Sequence, residues 1–384
     1  MGSLGLLALA CGTFALGVAE FSMMGILTDI AGELKISIPE AGEFISAYAI
    51  GVSAGAPLPV FFRNFSYKTL LLGLASAIAL GNLLAAISPG YHTLVCSRFL
   101  AGLPHGGFFG VGAIVAVSLV APGARATAIA VMALGMTFAN LAGVPVATLL
   151  SYTWSWRYTF LLAAGAGLLA ILGVWRFIPY RAPEQGKSLK REFMFLKWPA
   201  PWLIYAAVFL GQGSVYCWYS YMEPIMRDVA RIAPHHIKWV MIVAGAGMVF
   251  GGIVCGRLAD KFRASLISAW VATLIAPTLI CVYFFSSIPW LALILTFIGA
   301  AALFGLGGPL QYLIVRFSRG GEILGGAGIQ IAFNVSNAFA AWIGGLAISG
   351  GLGLTSPALF GIPMAMACAA ILFLFAHKYK KHGA

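Results

Sequence analysis

Charged side chains are scarce in this chain, and acidic ones are scarcest. Of 384 residues, 9% are charged and 11 are Asp or Glu, whereas 61% are hydrophobic. Soluble globular proteins carry about 25% charged residues, so this composition argues against a soluble domain. Long apolar runs dominate the chain instead. We therefore expect an all-α integral membrane protein whose helices are embedded in a lipid bilayer.

Several motifs of enzymes and metal sites are also missing. The sequence contains no H-E-x-x-H and no G-x-x-x-x-G-K-S/T phosphate loop, and its 6 cysteines form no C-x-x-C pair. These motifs carry zinc ligands, phosphate-binding loops and redox or metal-binding thiols. We therefore expect no catalytic residues, no metal site and no cofactor apart from protons as a coupling ion.

Apolar stretches recur along the whole chain, separated by Gly, Pro and charged residues. Each is long enough to cross about 30 Å of hydrocarbon as a helix. We predict twelve membrane spans, which we call spans one to twelve, at residues 4–30, 40–62, 69–88, 93–120, 126–150, 157–178, 201–226, 237–256, 265–286, 289–315, 322–348 and 357–377.

The chain is predicted to divide into two six-helix bundles. A polar stretch separates spans six and seven, so we assign residues 1–179 to one bundle, 180–199 to a linker and 200–384 to the second. The halves resemble each other: G-x-x-x-G occurs at Gly51 and again at Gly247. A 6+6 repeat is the architecture in which two bundles enclose a site at mid-membrane and rock around it.

The net charge of +12 could indicate nucleic-acid binding, but its distribution favours another explanation. Most of the 23 Lys and Arg fall in loops on one side of the predicted topology. Cytoplasmic loops are enriched in these residues. We therefore predict both termini in the cytoplasm, a location in the cell inner membrane, and no nucleic-acid partner.

Glu20 is the one charged residue in the first 28 positions. An ionisable side chain at this depth costs roughly 2.5–3.5 kcal/mol on the mildest insertion scale. Such a group usually faces a cavity, pairs with a partner or exchanges a proton. Glu20 is therefore a candidate proton carrier, and a member of a structural ion pair is the alternative.

Span four carries two further candidates for proton coupling, Arg98 and His105. Span one rises through the membrane and span four descends, so Glu20 and His105 should lie within about one helical turn in depth. Arg98 precedes His105 by seven residues, hence on the same helix face and about 10 Å away. Carboxylate, imidazole and guanidinium together can bind a proton and bias its release. The alternative roles are a core histidine and an arginine that holds the bundle together.

Two stripes of polar side chains are candidates for binding a solute. Their spacing of three or four residues places each stripe on one helix face. Such groups can bind a hydroxyl-rich ligand, although amides also hold membrane helices together. The stripes comprise Gln212, Tyr216, Tyr219 and Glu223 in span seven and Gln330, Asn334 and Asn337 in span eleven; Asn140 in span five is a similar candidate.

Seven short segments carry recognisable motifs. Gly256-Arg-Leu-Ala-Asp260-Lys-Phe-Arg263 and Arg98-Phe-Leu-Ala-Gly102 resemble motifs of the major facilitator superfamily. Gly135-Met-Thr-Phe-Ala-Asn-Leu-Ala-Gly143-Val-Pro145, followed by Trp156-Arg157, resembles the antiporter motif of its twelve-span drug/proton antiporter branch. Glu20-Phe21, Pro104-His105-Gly106 and Tyr221-Met-Glu223-Pro224 resemble segments of the bacterial sugar-efflux and arabinose-induced permeases in that branch. The resemblance covers the whole chain.

The resembling motifs also contain candidates for a role in conformational change. Glycine permits close helix approach and proline frees a carbonyl, so span five can pack tightly and bend. The acidic residue of the loop after span eight could cap a helix N-terminus of the other bundle, or be a solvated charge. Arg263 stands where the superfamily usually has Gly. The candidates are Gly135, Gly143, Pro145, Gly256, Asp260, Lys261 and Arg263.

The resemblance implies a secondary transporter that works by alternating access, and we expect it to act as a monomer. It implies export of small solutes in exchange for protons, with sugars or related polar compounds as the favoured substrates. Two alternatives remain open. One is a multidrug/proton antiporter for lipophilic or cationic compounds, and the other is a passive uniporter in which Glu20 and Arg98 form a fixed pair.

Overall fold

The computed structural model describes residues 2–62, 64–121, 124–180, 193–318 and 321–380. Within these ranges every regular element is helical. Residues 181–192 of the predicted linker lie outside the described part, which resumes before a short 3-10 helix at Met194–Lys197.

Each of the twelve predicted spans corresponds to one helix or to a run of consecutive helices. In the first half these are Gly2–Phe21 with Met23–Leu34, Ile38–Gly55 followed by Leu58–Phe61, Tyr67–Ala86, Tyr91–Gly102 with Pro104–Ser118, Arg125–Phe138 with Ala139–Gly143 and Val144–Thr153, and Arg157–Phe177. In the second half they are Pro199–Tyr219 with Met222–Pro224 and Ile225–Val229, Pro234–His236 with Ile237–Lys261, Ala264–Phe285, Pro289–Phe317, Glu322–Ser349 and Pro357–Lys378.

The helices are suited to a bilayer in length and in composition. In the part of the chain that the structure describes, 10 helices are long and apolar enough to cross a membrane. The helices Ile38–Gly55 and Pro199–Tyr219 are not among these ten. Large apolar side chains such as Leu169 and Leu374 are 60% and 69% exposed, as expected for a surface that faces lipid. The protein is a multi-pass membrane protein.

The chain forms two compact units. The first contains residues 1–36 and 47–186, and the second contains residues 37–46 and 187–384. In the first unit, Leu9, Leu16 and Phe108 are fully buried in one apolar cluster formed by spans one, three, four, five and six. The second unit thus includes the beginning of span two together with spans seven to twelve.

A pair of glycines joins spans two and four in the first unit. A Cβ atom added at Gly51 would lie 2.1 Å from the carbonyl oxygen of Phe99, and one at Gly55 would lie 1.9 Å from that of Leu103. Real Cβ atoms do not approach so closely. These positions therefore require glycine, which lets the two backbones touch.

The equivalent glycines make the equivalent contact in the second unit. A Cβ at Gly247 would lie 2.4 Å from the carbonyl oxygen of Phe297, and one at Gly251 would lie 1.9 Å from that of Ala301. Spans eight and ten therefore meet as spans two and four do. The sequence repeat corresponds to a repeated backbone contact.

The Gly51–Gly55 segment also spells G-x-S-x-G, the pattern of a nucleophilic serine in some hydrolases. That serine requires a sharp turn between a strand and a helix. Here Ser53 lies within the helix Ile38–Gly55, and its hydroxyl donates to the carbonyl of Ala49 over 2.9 Å. The segment is a helix-packing motif.

Each unit also has a basic side chain bound to the end of its last helix. Lys68, which follows span two, donates to the carbonyl of Trp175 over 2.7 Å in the first unit. Arg263, which follows span eight, donates to the carbonyl of Ala376 in the second. A cation at the C-terminal end of a helix satisfies a free carbonyl and interacts favourably with the helix dipole.

Candidate functional site

Glu20 lies beside an interruption in span one. The helix Gly2–Phe21 ends directly after it, and Met23–Leu34 begins after Ser22. The Glu20 side chain is 3% exposed, and its Oε1 atom has no hydrogen-bond partner among the described residues. Burying an acceptor without a partner is costly, so this oxygen is available to a proton or a ligand.

His105 lies beside a similar interruption in span four. The helix Tyr91–Gly102 ends before Leu103, and the next helix begins at Pro104. Proline has no N–H to donate to the preceding turn, which explains the break. His105 therefore lies in the first turn of the new helix, and its ring contacts Tyr48 and Phe109 of the first unit.

The structure brings Glu20 and His105 together, as the order of the spans predicts. The Nδ1 atom of His105 lies 3.8 Å from Oε2 of Glu20. Its ring stacks on Phe109 with centroids 5.5 Å apart and an interplanar angle of 22°. The imidazole is thus held in one plane, with one nitrogen facing the carboxylate.

Arg98 belongs to the same cluster. It is fully buried, and its guanidinium carbon lies 4.3 Å from the centroid of the Tyr48 ring and 5.4 Å from that of Phe160. Glu20 and Arg98 are both buried within the first unit. A buried cation over two aromatic faces is stabilised without leaving the cluster.

Tyr48 is the member of this cluster that the sequence analysis missed. Its hydroxyl oxygen lies 2.9 Å from Nδ1 of His105, and the side chain is 1% exposed. Tyrosines in membrane helices usually lie near the headgroups, whereas Tyr48 occupies the middle of the helix Ile38–Gly55. A mid-span tyrosine is therefore the signal that could have identified it.

Span five packs directly on span one near this cluster. A Cβ at Gly135 would lie 2.0 Å from the carbonyl oxygen of Ala10, and one at Gly143 would lie 2.7 Å from a methyl of Val18. The hydroxyl of Thr13 donates to the carbonyl of Met132 over 2.6 Å. Gly135 and Gly143 are close-packing positions, and their role in conformational change stays a prediction.

Asn140 lies in a widened turn of span five. The π-helix Ala139–Gly143 precedes Pro145, which cannot donate a hydrogen bond to the turn before it. Asn140 is buried, and its Nδ2 has no hydrogen-bond partner among the described residues. Such π-turns often occur at functional sites.

The polar stripe of span seven is buried in the second unit. Gln212, Tyr216, Tyr219 and Glu223 are each at most 3% exposed. The Tyr216 ring packs edge-on against Phe333 of span eleven, with centroids 5.5 Å apart. Within the part of the chain that the structure describes, Oε1 of Gln212 has no hydrogen-bond partner.

Glu223 lies where span seven becomes irregular. The helix Pro199–Tyr219 ends, and a short helix Met222–Pro224 leads into a π-helix at Ile225–Val229. Oε1 of Glu223 lies 3.6 Å from a guanidinium nitrogen of Arg227. A local ion pair therefore compensates this carboxylate.

The span-eleven stripe presents amides to the interior of the second unit. Asn334 donates to the carbonyl of Gln330 over 2.9 Å, but its Oδ1 has no partner among the described residues. Both polar atoms of Asn337 also lack partners there, and the side chain is 1% exposed. Gln330 is half-buried. Unsatisfied buried amides are the feature expected of a site that hydrogen-bonds a polar ligand.

The residues of the loop motif after span eight lie at the end of the helix Ile237–Lys261. Asp260 and Lys261 are exposed, and a Cβ added at Gly256 would meet no described atom within 4 Å. Gly256 is therefore not a close-packing glycine. Arg263 makes the contact with the last helix of its unit described above.

The Trp156-Arg157 pair of the resembling motif forms a junction in the first unit. Arg157 pairs with Glu33 and donates to the carbonyl of Ser88 over 3.2 Å. Its guanidinium carbon lies 4.2 Å from the centroid of the Trp156 ring. The pair thus joins the ends of spans one, three and six.

These features correspond to a known class of membrane transporter. Residues 9–231 match the model of the Major Facilitator Superfamily. The chain is 40% identical over 380 residues to the putative transporter AraJ of Escherichia coli K12. The alignment covers 99% of this chain and 96% of that relative. The chain therefore belongs to the major facilitator superfamily, a family of transporters.

Other relatives are named as efflux or resistance proteins. The chain is 30% identical to a chloramphenicol resistance protein of Streptomyces lividans, covering 86% of this chain and 85% of the relative. It is 25% identical to a probable sugar efflux transporter of Helicobacter pylori, and that alignment covers 87% of this chain and 86% of the relative. These names describe the relatives.

A solved structure has the same fold. A bacterial homologue of the human lysosomal transporter Spinster, crystallised in an inward-facing and occupied conformation, matches with a TM-score of 0.71 and 17% identity. The match covers 98% of this chain and 97% of that protein. The predicted all-α major facilitator fold is confirmed.

Proposed function

We propose that this protein exports small solutes, sugars or related polar compounds, in exchange for protons by alternating access. The observation that carries the proposal is the buried cluster of Glu20, His105 and Arg98 in the first unit. The proposed location is the cell inner membrane, as a monomer with both termini in the cytoplasm. Reporter fusions at each terminus test that orientation.

The proton-coupling part of the proposal rests on the charge balance of this cluster. A carboxylate inside a membrane protein must be protonated or compensated by a positive charge. Glu20 has a histidine at 3.8 Å that can gain a positive charge, and it has one oxygen without a partner among the described residues. Arg98 supplies a second cationic group, buried against the Tyr48 ring. This set of groups can hold one proton in more than one arrangement.

The solute part rests on the amides of spans seven and eleven. Gln212 and Asn337 offer both hydrogen-bond donors and acceptors, and their unsatisfied atoms are buried. The Tyr216 and Phe333 rings, each four residues from one of these amides along its helix, pack against each other in the same unit. Hydroxyl groups of a sugar could satisfy the amides, while its apolar face contacts the rings. A probable sugar efflux transporter among the relatives supports this substrate class.

A second candidate substrate class is supported by the relative named as a chloramphenicol resistance protein. A multidrug antiporter would bind lipophilic or cationic compounds, whose charge a carboxylate could neutralise. Glu223 is already paired with Arg227 in this structure, which favours uncharged solutes at that position. Binding measured against a panel of sugars, chloramphenicol and lipophilic cations distinguishes the two classes.

Proteoliposomes test the coupling directly. An imposed pH gradient should drive the solute that the panel identifies against its own gradient. Glu20→Gln should abolish this uphill movement and leave exchange down a gradient, because glutamine cannot exchange a proton. Glu33→Gln is the matched control, since Glu33 is partly exposed and lies in the Arg157 junction.

Two results would contradict the proposal. If the pH gradient drives no uphill movement in the wild type, the protein is a passive uniporter and the Glu20 cluster is structural. If Glu20→Gln retains wild-type coupling, Glu20 is not the proton carrier.

A further inference from the structure

The hydrogen bond between Tyr48 and His105 bears on how the cluster takes up a proton. The Tyr48 hydroxyl lies 2.9 Å from Nδ1 of His105, and the same Nδ1 lies 3.8 Å from Oε2 of Glu20. A ring nitrogen carries one hydrogen or one lone pair, so it bonds strongly to one of these neighbours at a time. Tyr48 and Glu20 therefore compete for a single atom of the imidazole.

Arg98 favours one direction of the Tyr48–His105 hydrogen bond. Its guanidinium carbon lies 4.3 Å from the centroid of the Tyr48 ring. A cation over a phenol withdraws electron density from the ring, which makes the O–H a better donor and the oxygen a poorer acceptor. The Tyr48 hydroxyl is thus favoured as the donor and Nδ1 as the acceptor.

We infer that Tyr48 is a positioning residue for proton coupling: its hydroxyl donates to Nδ1 of His105 and fixes the neutral imidazole in the Nε2–H tautomer. In this state Nδ1 has no hydrogen to offer to Glu20. The inference rests on the proposed function for its role in transport, while the tautomer is argued from the contacts of Tyr48 with His105 and Arg98.

Protonation of His105 then changes the hydrogen-bond partner of its Nδ1 atom from Tyr48 to Glu20. The added proton binds the Nδ1 lone pair, and the Tyr48 O–H bond stays intact and rotates away. The new Nδ1–H points toward the Glu20 carboxylate, whose negative charge compensates the imidazolium. The competing tyrosine hydrogen bond thus sets the proton concentration at which the His105–Glu20 pair forms.

The backbone holds Tyr48 in place during this exchange. A Cβ added at Gly102 would lie 2.2 Å from the carbonyl oxygen of Tyr48, so spans two and four are already in contact there. The groups in contact with the imidazole from the packed helices are Glu20 from span one, Tyr48 from span two and Phe109 from span four, and Arg98 lies on the Tyr48 ring. The change of hydrogen-bond partner therefore requires movement of side chains and not of the helix backbones.

Tyr48→Phe tests the role in transport because it keeps the ring under Arg98 and removes the hydroxyl. Without the competing donor, His105 should protonate at lower proton concentration. We expect the pH midpoint of proton-driven transport to move toward alkaline pH by roughly one unit, a tenfold change, which corresponds to one buried hydrogen bond. A purely structural role would lower the rate at every pH without moving the midpoint.

Tyr205→Phe is the matched control. It also removes a tyrosine hydroxyl, one that donates to the carbonyl of Gly325 over 3.1 Å in the second unit. Its pH midpoint should equal that of the wild type. An unchanged midpoint in Tyr48→Phe, or an equal shift in Tyr205→Phe, would overturn the inference.

A second measurement tests the tautomer without transport. Nitrogen NMR of protein labelled at its 6 histidines, with His105→Gln to assign the signal, reports which nitrogen carries the hydrogen. We expect an unprotonated Nδ1 and a protonated Nε2 in the neutral wild type. A signal from Nδ1–H would overturn the inference even if Tyr48→Phe fails to fold. If the tautomer is as expected but no pH gradient drives transport, the proposed function fails while the hydrogen-bond assignment stands.

Discussion

Gly251→Ala should destabilise the protein, whereas the same change at the next residue should not. A Cβ at Gly251 would lie 1.9 Å from the carbonyl oxygen of Ala301, and ordinary contact begins at 3.4 Å. Spans eight and ten must therefore move apart by roughly 1.5 Å at this point, which weakens every contact along their interface. A Cβ at Gly252 meets no described atom within 4 Å.

The expected magnitude follows from two opposing effects. Forcing an extra carbon into a packed interface costs about 1–3 kcal/mol. Replacing glycine by alanine in a helix returns about 0.5–1 kcal/mol. The net effect for Gly251→Ala is a loss of about 1 kcal/mol at the middle of these ranges, which lowers the Tm of a chain of this length by roughly 1–2 °C. Gly252→Ala has only the favourable effect, so its Tm should be equal to or above that of the wild type.

Thermal unfolding of the detergent-purified protein, followed by tryptophan fluorescence, measures this difference. Gly55→Ala should behave like Gly251→Ala, because its Cβ would lie 1.9 Å from the carbonyl oxygen of Leu103. Equal Tm values for Gly251→Ala and Gly252→Ala would refute the contact between spans eight and ten and the packing role of the glycine pair.

Two further substitutions test features of the second unit. Asn337→Leu removes buried polar atoms that have no partner among the described residues, so it should raise the Tm. The same change should weaken solute binding in an equilibrium binding assay. Weaker binding with a lower Tm would indicate a structural amide. Arg263→Gln removes the cation that donates to the Ala376 carbonyl, so it should lower the free energy of unfolding by about 0.3–1 kcal/mol, and by less at high salt. Thermal unfolding measures this loss. As the control, Lys261→Gln changes an exposed side chain and should leave the Tm unchanged.

The fold could be predicted from sequence because a bilayer leaves few choices. An apolar stretch in hydrocarbon must satisfy its backbone internally, so each stretch becomes a helix. The order of the spans then places Glu20 and His105 at similar depth, and the structure has them 3.8 Å apart. Pro104 also marks the break in span four. The break at Ser22 has no comparable signal in the sequence.

The details of the site could not be predicted because they depend on rotation and contact between helices. Tyr48 was missed since a single tyrosine has no periodic partner, although its mid-span position was visible. Periodicity identified the stripe containing Asn337, but only the packed structure shows that both its polar atoms lack described partners. Likewise, the sequence alone does not distinguish the packing of Gly251 from that of Gly256. A Cβ at Gly251 would touch the backbone of span ten, whereas one at Gly256 would have no described atom within 4 Å.

The basic contacts at the ends of the last helices have a consequence for how each half assembles. Lys68 and Trp175 are 107 residues apart, and Arg263 and Ala376 are 113 residues apart. Membrane helices are inserted as the chain is synthesised, so neither contact can form until the final helix of its half has entered the bilayer. Each contact then joins an early loop to the last helix that arrives. Each contact therefore forms only when all the helices of its half are present, and a half that is truncated before its last helix would lack the contact.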